Sequence, residues 1–398
     1  MAHKEVKTIN YFTYLFLKTL VRSFVYFKLG YRIKNKYRIK KGESLVVLSN
    51  HQTDYDPILV HLSFSKLMRT VATDNIFRKG FLNWFITKLG GIPKRKGQSD
   101  LRSAMQMSRI IRDGGSLLIF PEGNRSYAEF QYYITDQIGK SLKNYKATIV
   151  LFNLHGGTGK YPRFAHKKRR GPFYGEIKKV LPYETYKDMS DEELTKTIKD
   201  NLKVYDSDSS ALFKSSKRAE YLERMLFACP ICNSHSTLFS KGKCIKCSCG
   251  LEVEYKENLH LTSSNPNFKF DRLIDWYNFQ KEWIKNLEVN DKEIFFDNGV
   301  KLFNGEPHEK KRLLAKGHLS VNKDNLTIDK LSLPIKDIEI ASPVSGRKLV
   351  FTHLGKAYVI KGNKRFNALK YMLLFNKLDT KMKNDKIDNY FTLEKEIS

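Results

Sequence analysis

Hydrophobic and polar positions alternate in two different ways along the 398 residues. Between Ser44 and about Val180 short apolar runs are separated by longer mixed stretches: Leu45–Leu48, Leu117–Phe120, Thr148–Phe152 and Ile177–Leu181. Buried strands spaced by helical stretches predict an α/β domain, with helices packed on a mostly parallel sheet. The polar stretch Asp206–Ser210 and the pair Ser215–Ser216 close this domain, and a basic helix is expected over Lys217–Phe227. Asp271–Ile284 sets Trp276, Phe279 and Trp283 at helical spacing, which reads as an aromatic core stripe. From Asp291 onward the pattern becomes short β runs, at Ile294–Phe296, Leu326–Ile328, Ile338–Ile340, Leu349–Thr352 and Ala357–Ile360. A helix over Phe366–Leu378 follows. The expected organisation is therefore an N-terminal helix (1–30), an α/β domain (31–205), a helix with a cysteine-rich ribbon (217–262), a helical connector (263–290) and a β-rich domain with a terminal helix (291–398).

The stretch Ile9–Leu29 is the most lipophilic, yet Lys18 and Arg22 interrupt it one helical turn apart. Each central charge costs roughly 2.5–3.5 kcal/mol in a spanning helix, so no transmembrane segment is assigned. No small-residue cleavage site follows it, which argues against a signal peptide. An interfacial helix, with aromatics in lipid and cations at head-group level, satisfies the pattern; so does a helix packed on its own domain. The basic run Arg32, Lys34, Lys36, Arg38, Lys40 and Lys41 tips the balance toward an anionic surface.

Composition narrows the picture. Hydrophobic residues at 41% and charged residues at 28% exclude wholesale disorder. No run approaches the ~18 apolar residues of a spanning helix, which excludes a multipass membrane protein. Lys and Arg number 71 against 42 Asp and Glu, a net charge of +29, and imply an anionic partner. All five cysteines lie between Cys229 and Cys249, a clustering that points to a metal in a reducing compartment. Cys229-Pro230-Ile231-Cys232 supplies one pair of a tetrahedral zinc ribbon. The second pair is Cys247 with either Cys249 or Cys244; the glycine after Cys249 favours Cys249. One structural Zn²⁺ is expected, stapling a segment too small to bury its own core.

Chemistry concentrates in two loops that each follow a predicted strand. In Asn50-His51-Gln52-Thr53-Asp54-Tyr55-Asp56-Pro57 a loop closing into a helix can bring the Asp56 carboxylate to one nitrogen of His51. The other nitrogen is then free to take a proton from a hydroxyl. By itself this spacing is more often a capped loop than a catalytic pair. The second loop is Phe120-Pro121-Glu122-Gly123-Asn124-Arg125-Ser126, where Gly123 admits an anion to the backbone and Arg125 offers a planar donor fork. Between them stands Gly90-Gly91-Ile92-Pro93-Lys94-Arg95-Lys96, a glycine turn followed by cations.

With these blocks in this order, from Asn50 to Leu181, the sequence resembles the glycerolphosphate acyltransferase superfamily, which acylates lysophosphatidate and related lysophospholipids. The resemblance implies His51 as general base, Asp56 as the holder of its tautomer, and Arg95, Glu122, Gly123 and Arg125 as the acceptor-phosphate site. It implies a lysophospholipid acceptor, a thioester (acyl-coenzyme A or acyl-carrier-protein) or acyl-phosphate donor, and no catalytic metal; with the N-terminal helix and basic run, a peripheral position on the cytoplasmic face of a membrane is expected. Asn124 stands where the superfamily usually has Thr, and Ile149–Leu154 followed by His155-Gly156-Gly157-Thr158-Gly159 replaces an apolar Val-Pro block. The same site acting on glycerol 3-phosphate or a glycolipid is the nearest alternative. A zinc-ribbon nucleic-acid-binding protein is the competing class, disfavoured because the ribbon shows no basic and aromatic interleaving. The region after Asp291 resembles a pleckstrin-homology-like module in pattern alone.

Overall fold

The apolar runs become the centre of a sheet. In this computed structural model the described residues are 11–73, 91–94, 101–127, 129, 131–306, 310–344 and 347–378. They divide into two units, the first ending at Asp206 and yielding Tyr127–Glu129 and Tyr161–Gly171 to the second.

Among the described residues of the first unit, seven strands form one sheet: β1 (Arg32–Ile33), β2 (Leu45–Ser49), β3 (Arg69–Thr73), β4 (Ile92–Lys94), β5 (Leu117–Ile119), β6 (Thr148–His155) and β7 (Tyr174–Leu181). Their order is β1-β7-β6-β2-β5-β3-β4. Only β6 and β7 run antiparallel; β2 lies parallel to both β5 and β6, with Val47 opposite Leu118 and Val150. Both faces of β2 are covered, which is why its apolar residues are consecutive rather than alternating. Helix α1 (Tyr11–Phe24) precedes the sheet, α2 (Asp56–Ser63) follows β2, and α3 (Leu101–Arg112) precedes β5. Next come α4 (Ile138–Lys143), the single turn α5 (Gly157–Lys160), α6 (Tyr183–Tyr186) and α7 (Asp191–Leu202). One face of the sheet, with Val46, Leu48, Leu117, Ile149 and Leu151, packs on Ile138 and Leu142 of α4 and on Leu194, Ile198 and Leu202 of α7. Ser190 and Glu193 close a capping box that fixes where α7 begins.

The N-terminal segment buries some of its apolar side chains and exposes others. Val25 and Leu29 are buried, whereas Phe16, Leu20, Phe24 and Tyr26 are exposed and Phe27 is 80% exposed. Lys18 differs from the expected head-group cation: its ammonium turns inward and donates to the Phe64 carbonyl. Burial, with help from Arg22, lowers its pKa to about 8. The Arg32 guanidinium lies 3.5 Å from the Tyr26 ring centre. Among the described residues no helix is long and apolar enough to cross a membrane.

The second unit contains a four-stranded antiparallel ribbon, β8 (Leu238–Lys241), β9 (Cys244–Cys247), β10 (Glu252–Tyr255) and β11 (Leu261–Thr262). Helix α8 (Leu273–Asn286) follows, and its Trp276 is wholly buried, donating through Nε1 to the Ala228 carbonyl at 2.8 Å. The remaining strands are β12 (Phe295–Asn304), β13 (Leu313–Val321), β14 (Asn325–Ile328), β15 (Leu331–Pro334), β16 (Ile338–Val344), β17 (Lys348–His353) and β18 (Lys356–Lys361), ahead of α9 (Ala368–Leu378). They form an antiparallel sheet in the order β15-β14-β13-β12-β18-β17-β16. Strands β13 and β15 lie beyond those the sequence pattern suggested.

The basic helix expected over Lys217–Phe227 is not formed; the segment is a series of turns with a single 3₁₀ turn at Leu222–Arg224. Its polar groups bond outward instead of along a helix. The Tyr221 amide donates to Ser240 Oγ at 2.7 Å, and Tyr221 itself has φ +73°. Arg218 pairs with Glu254 at 2.5 Å, and Arg224 donates to the carbonyls of Phe164 and Lys364, each at 2.7 Å. Buried cations need such partners, and a regular helix would turn some of them away.

Candidate active site

Strand β2 delivers the loop Asn50–Tyr55 to the start of α2, where Pro57 occupies the first turn. There a missing N–H costs nothing. Asn50 anchors the loop to β6: its amide donates to the Leu154 carbonyl at 2.9 Å and accepts from the Leu154 amide at 2.8 Å. Asp56 is fully buried. Its carboxylate accepts from the amides of Gln52 at 2.5 Å and Thr53 at 2.8 Å, and from the Thr53 hydroxyl at 2.5 Å. His51 Nδ1 lies 2.9 Å from Asp56 Oδ2. Facing a carboxylate, Nδ1 carries the proton, which leaves Nε2 as an acceptor. The imidazole is partly open to solvent and packs on Phe120, 4.5 Å between ring centres.

The two sequence blocks meet through backbone. Ser126 N–H donates to the His51 carbonyl at 2.8 Å. His51 N–H donates to Glu122 Oε1 at 3.0 Å, and Tyr132 N–H donates to Glu122 Oε2 at 2.9 Å. Both carboxylate oxygens of Glu122 thus accept bonds within the protein. Burial pushes its pKa up to about 8 against those two donors, and Asp56 adds to the rise. Arg125 Nη1 sits 2.8 Å from Asp54 Oδ2 in the facing loop. Gly123 has φ +61° and nothing within 4 Å of the position a Cβ would take, so its backbone is approachable. Arg95 lies outside the described residues.

The glycine-rich segment after β6 also joins this loop. Gly157 N–H donates to Gln52 Oε1 at 2.9 Å. A Cβ on Gly157 would stand 2.5 Å from that oxygen. Asp206 accepts from the amides of Gly156 at 2.6 Å and Gly159 at 3.2 Å and from the Thr158 hydroxyl at 2.6 Å. The turn's buried donors are thereby satisfied by the protein itself.

Residues 30–155 match the Acyltransferase family. That segment is an acyltransferase domain. Similar solved structures include the 1-acyl-sn-glycerophosphate (LPA) acyltransferase PlsC from Thermotoga maritima, 20% identical over 44% of this chain and 69% of that one, with a TM-score of 0.38. A chain from a systematic screen for protein–lipid interactions in Saccharomyces cerevisiae is 16% identical over 23% of this chain and 95% of its own, with a TM-score of 0.16. No curated protein matches the chain significantly. The assignment rests on the family match over residues 30–155.

The acyltransferase domain thus presents a carboxylate-held imidazole beside an arginine on a neighbouring loop. An acid held by three donors fixes the ring, and the ring's open nitrogen can accept a proton. Sequence inspection did not single out Asp54, Gln52, Gly157 or Asp206 as parts of this arrangement. Asp54 was legible only as one more loop acid. Asp206 stands fifty residues from the amide of Gly156 it receives, and nothing local marks it.

The cysteines form a separate centre in the second unit. The sulfurs of Cys229, Cys232, Cys247 and Cys249 all lie within 4.8 Å of one another. Cys229 and Cys249 are 3.7 Å apart, as are Cys232 and Cys247. Tetrahedral thiolates at ~2.3 Å from zinc would stand roughly 3.8 Å apart, so the group fits such an ion. Gly250 at φ +94° turns the chain after Cys249, and its amide bonds back to the Cys247 carbonyl at 3.0 Å. Cys244 lies outside the group, paired in the sheet with Lys241 and Glu254.

Proposed function

We propose that the acyltransferase domain transfers a fatty acyl group to the free hydroxyl of lysophosphatidate. The observation that carries this reading is the His51 Nδ1–Asp56 contact at 2.9 Å with Arg125 on the adjoining loop. In the proposed step His51 Nε2 takes the proton of the acceptor hydroxyl as its oxygen attacks the thioester carbonyl of an acyl-coenzyme A or acyl-carrier-protein donor. The tetrahedral intermediate collapses, the thiolate leaves, and the imidazolium returns the proton to sulfur. Asp56 stabilises the imidazolium without itself taking the proton. Arg125, with Arg95, binds the acceptor phosphate, and the phosphate competes with Asp54 for the guanidinium.

The exposed aromatic face of α1 and the five residues after it supports a peripheral position on the cytoplasmic face of an anionic membrane. The four-cysteine group holds a structural Zn²⁺ in this reading and takes no part in acyl transfer. Purified protein should be tested with lysophosphatidate, glycerol 3-phosphate, lysophospholipids with other head groups and a glycolipid, each with both donor classes. Fastest turnover of lysophosphatidate supports the proposal. Preference for another acceptor reassigns the substrate, and transfer to none of them refutes the reading.

A further inference from the structure

Four lysines occupy one row of the large sheet in the second unit. The register sets Lys316 of β13 opposite Lys301 of β12, Lys301 opposite Lys361 of β18, and Lys361 opposite Lys348 of β17. Residues directly opposed across a ladder share a face. The alternate positions Val300, Leu302, Leu349 and Ile360 are buried on the other face. With strands ~4.8 Å apart, three steps carry the row across roughly 14 Å. Among the described residues none of the four has an ion-pair partner. Like charges placed opposite each other weaken a sheet, so an intrinsic role in folding does not account for the row. Burial first, and then Lys311, Lys361 and Arg347, hold Lys348 below the ordinary lysine range.

The next row on the same face is apolar. Phe303 lies opposite Leu313 and Val359, and Val359 lies opposite Val350. Leu313 is half exposed, and the other three are partly exposed. A line of cations beside a line of apolar side chains matches the boundary between charged head groups and acyl chains. Single-stranded nucleic acid would call instead for repeated stacking rings. The aromatic in this row, Phe303, already carries the Lys311 ammonium 4.1 Å from its ring centre.

We propose that this face of the β12–β18 sheet docks on an anionic phospholipid surface, the lysine row meeting head-group phosphates and the apolar row entering the interface. This contact is additional to the one made by α1 and does not depend on the acyl-transfer reading.

The test is co-sedimentation of the full chain with phosphatidylcholine vesicles, with and without phosphatidylglycerol, at low and high salt. Wild type is compared with Lys301→Gln/Lys361→Gln and with a charge-matched control, Lys269→Gln/Lys336→Gln, which alters two other exposed lysines. Each lysine at an anionic surface is worth roughly fivefold in binding, so the row variant should partition onto phosphatidylglycerol vesicles roughly 25-fold more weakly than the control. The second pair, Lys316→Gln/Lys348→Gln, should reproduce that loss, and melting temperatures should not fall below the wild-type value, because opposed like charges are removed. Acyl transfer to detergent-dispersed acceptor should be unchanged in both row variants. The proposal fails if the row variants bind vesicles within twofold of the control. It also fails if the row governs retention on homopolymeric RNA while vesicle binding is untouched, which would assign the face to nucleic acid.

Discussion

The amide of His51 donates to Glu122 Oε1 at 3.0 Å, so the residue with the open imidazole nitrogen is held from its backbone by the acid of the other sequence block. Together with the bond from Ser126 N–H to the His51 carbonyl, this fixes the peptide on both sides of the ring. Glu122 is thereby a positioning residue whose effect passes through His51.

Raising the pH should loosen this arrangement. Glu122 has a folded-state pKa near 8, above its ordinary value, because burial opposes its charge. Between the ordinary carboxylate range and about 8 the folded protein binds the extra proton, so stability falls as pH rises through that window. Thermal melting of wild type should therefore drop more between pH 6 and pH 9 than that of Glu122→Gln, which cannot ionise. Equal drops would remove Glu122 from the pH response.

His51→Ala should abolish transfer with the fold intact, since the ring is partly exposed and contributes little to the core. Loss of a general base costs typically 10²–10⁴-fold. Asp56→Asn should cost activity and stability together, because the buried carboxylate accepts three bonds besides His51. Turnover kinetics beside circular dichroism checks both. Wild-type turnover in a folded His51→Ala protein would dismiss the general base.

Arg125 and Asp54 should respond in opposite directions. Arg125→Lys replaces a donor fork by a point charge and should raise KM for the phosphorylated acceptor more than for the donor. Asp54→Asn removes the carboxylate that holds the guanidinium at 2.8 Å and should lower the acceptor KM. Initial rates with each substrate varied in turn decide this. A change confined to donor KM would move the arginine to the donor phosphates.

Gly157→Ala should lower kcat through Gln52. The added methyl would stand 2.5 Å from Gln52 Oε1 and 2.8 Å from its Cβ, which displaces the side chain next to His51. A tenfold or greater fall in kcat with unchanged zinc content is expected, and Gln52→Ala combined with Gly157→Ala should recover part of it. Wild-type kcat in the single variant would show that the turn does not position the loop.

Metal analysis should return one zinc per chain. Cys249→Ser should cost more zinc than Cys244→Ser, because the Cys249 sulfur lies 3.7 Å from that of Cys229 while Cys244 stands outside the group. Chelation should unfold the ribbon before acyl transfer is affected. Loss of activity in a folded, zinc-free protein would overturn the structural role.

What the sequence determined alone is whatever acts over a few residues. The consecutive apolar residues of β2, β5 and β6 announced buried strands, and the His51 and Asp56 pair, the Glu122–Arg125 block and the Cys229–Cys232 knuckle could be read directly because their partners are close in the chain. Tertiary structure decided the rest. It set Glu122 on the His51 and Tyr132 amides. It paired Arg125 with Asp54, brought Asp206 to the glycine turn, and directed Lys18 inward to Phe64. It also replaced the expected helix at Lys217–Phe227 with turns, because the buried Arg218 and Arg224 find their acceptors elsewhere in the unit. The lysine row shows the reason most plainly. Lys301, Lys316, Lys348 and Lys361 are scattered across four strands, and only hydrogen-bond register, set by burial of the opposite face, brings them into one line.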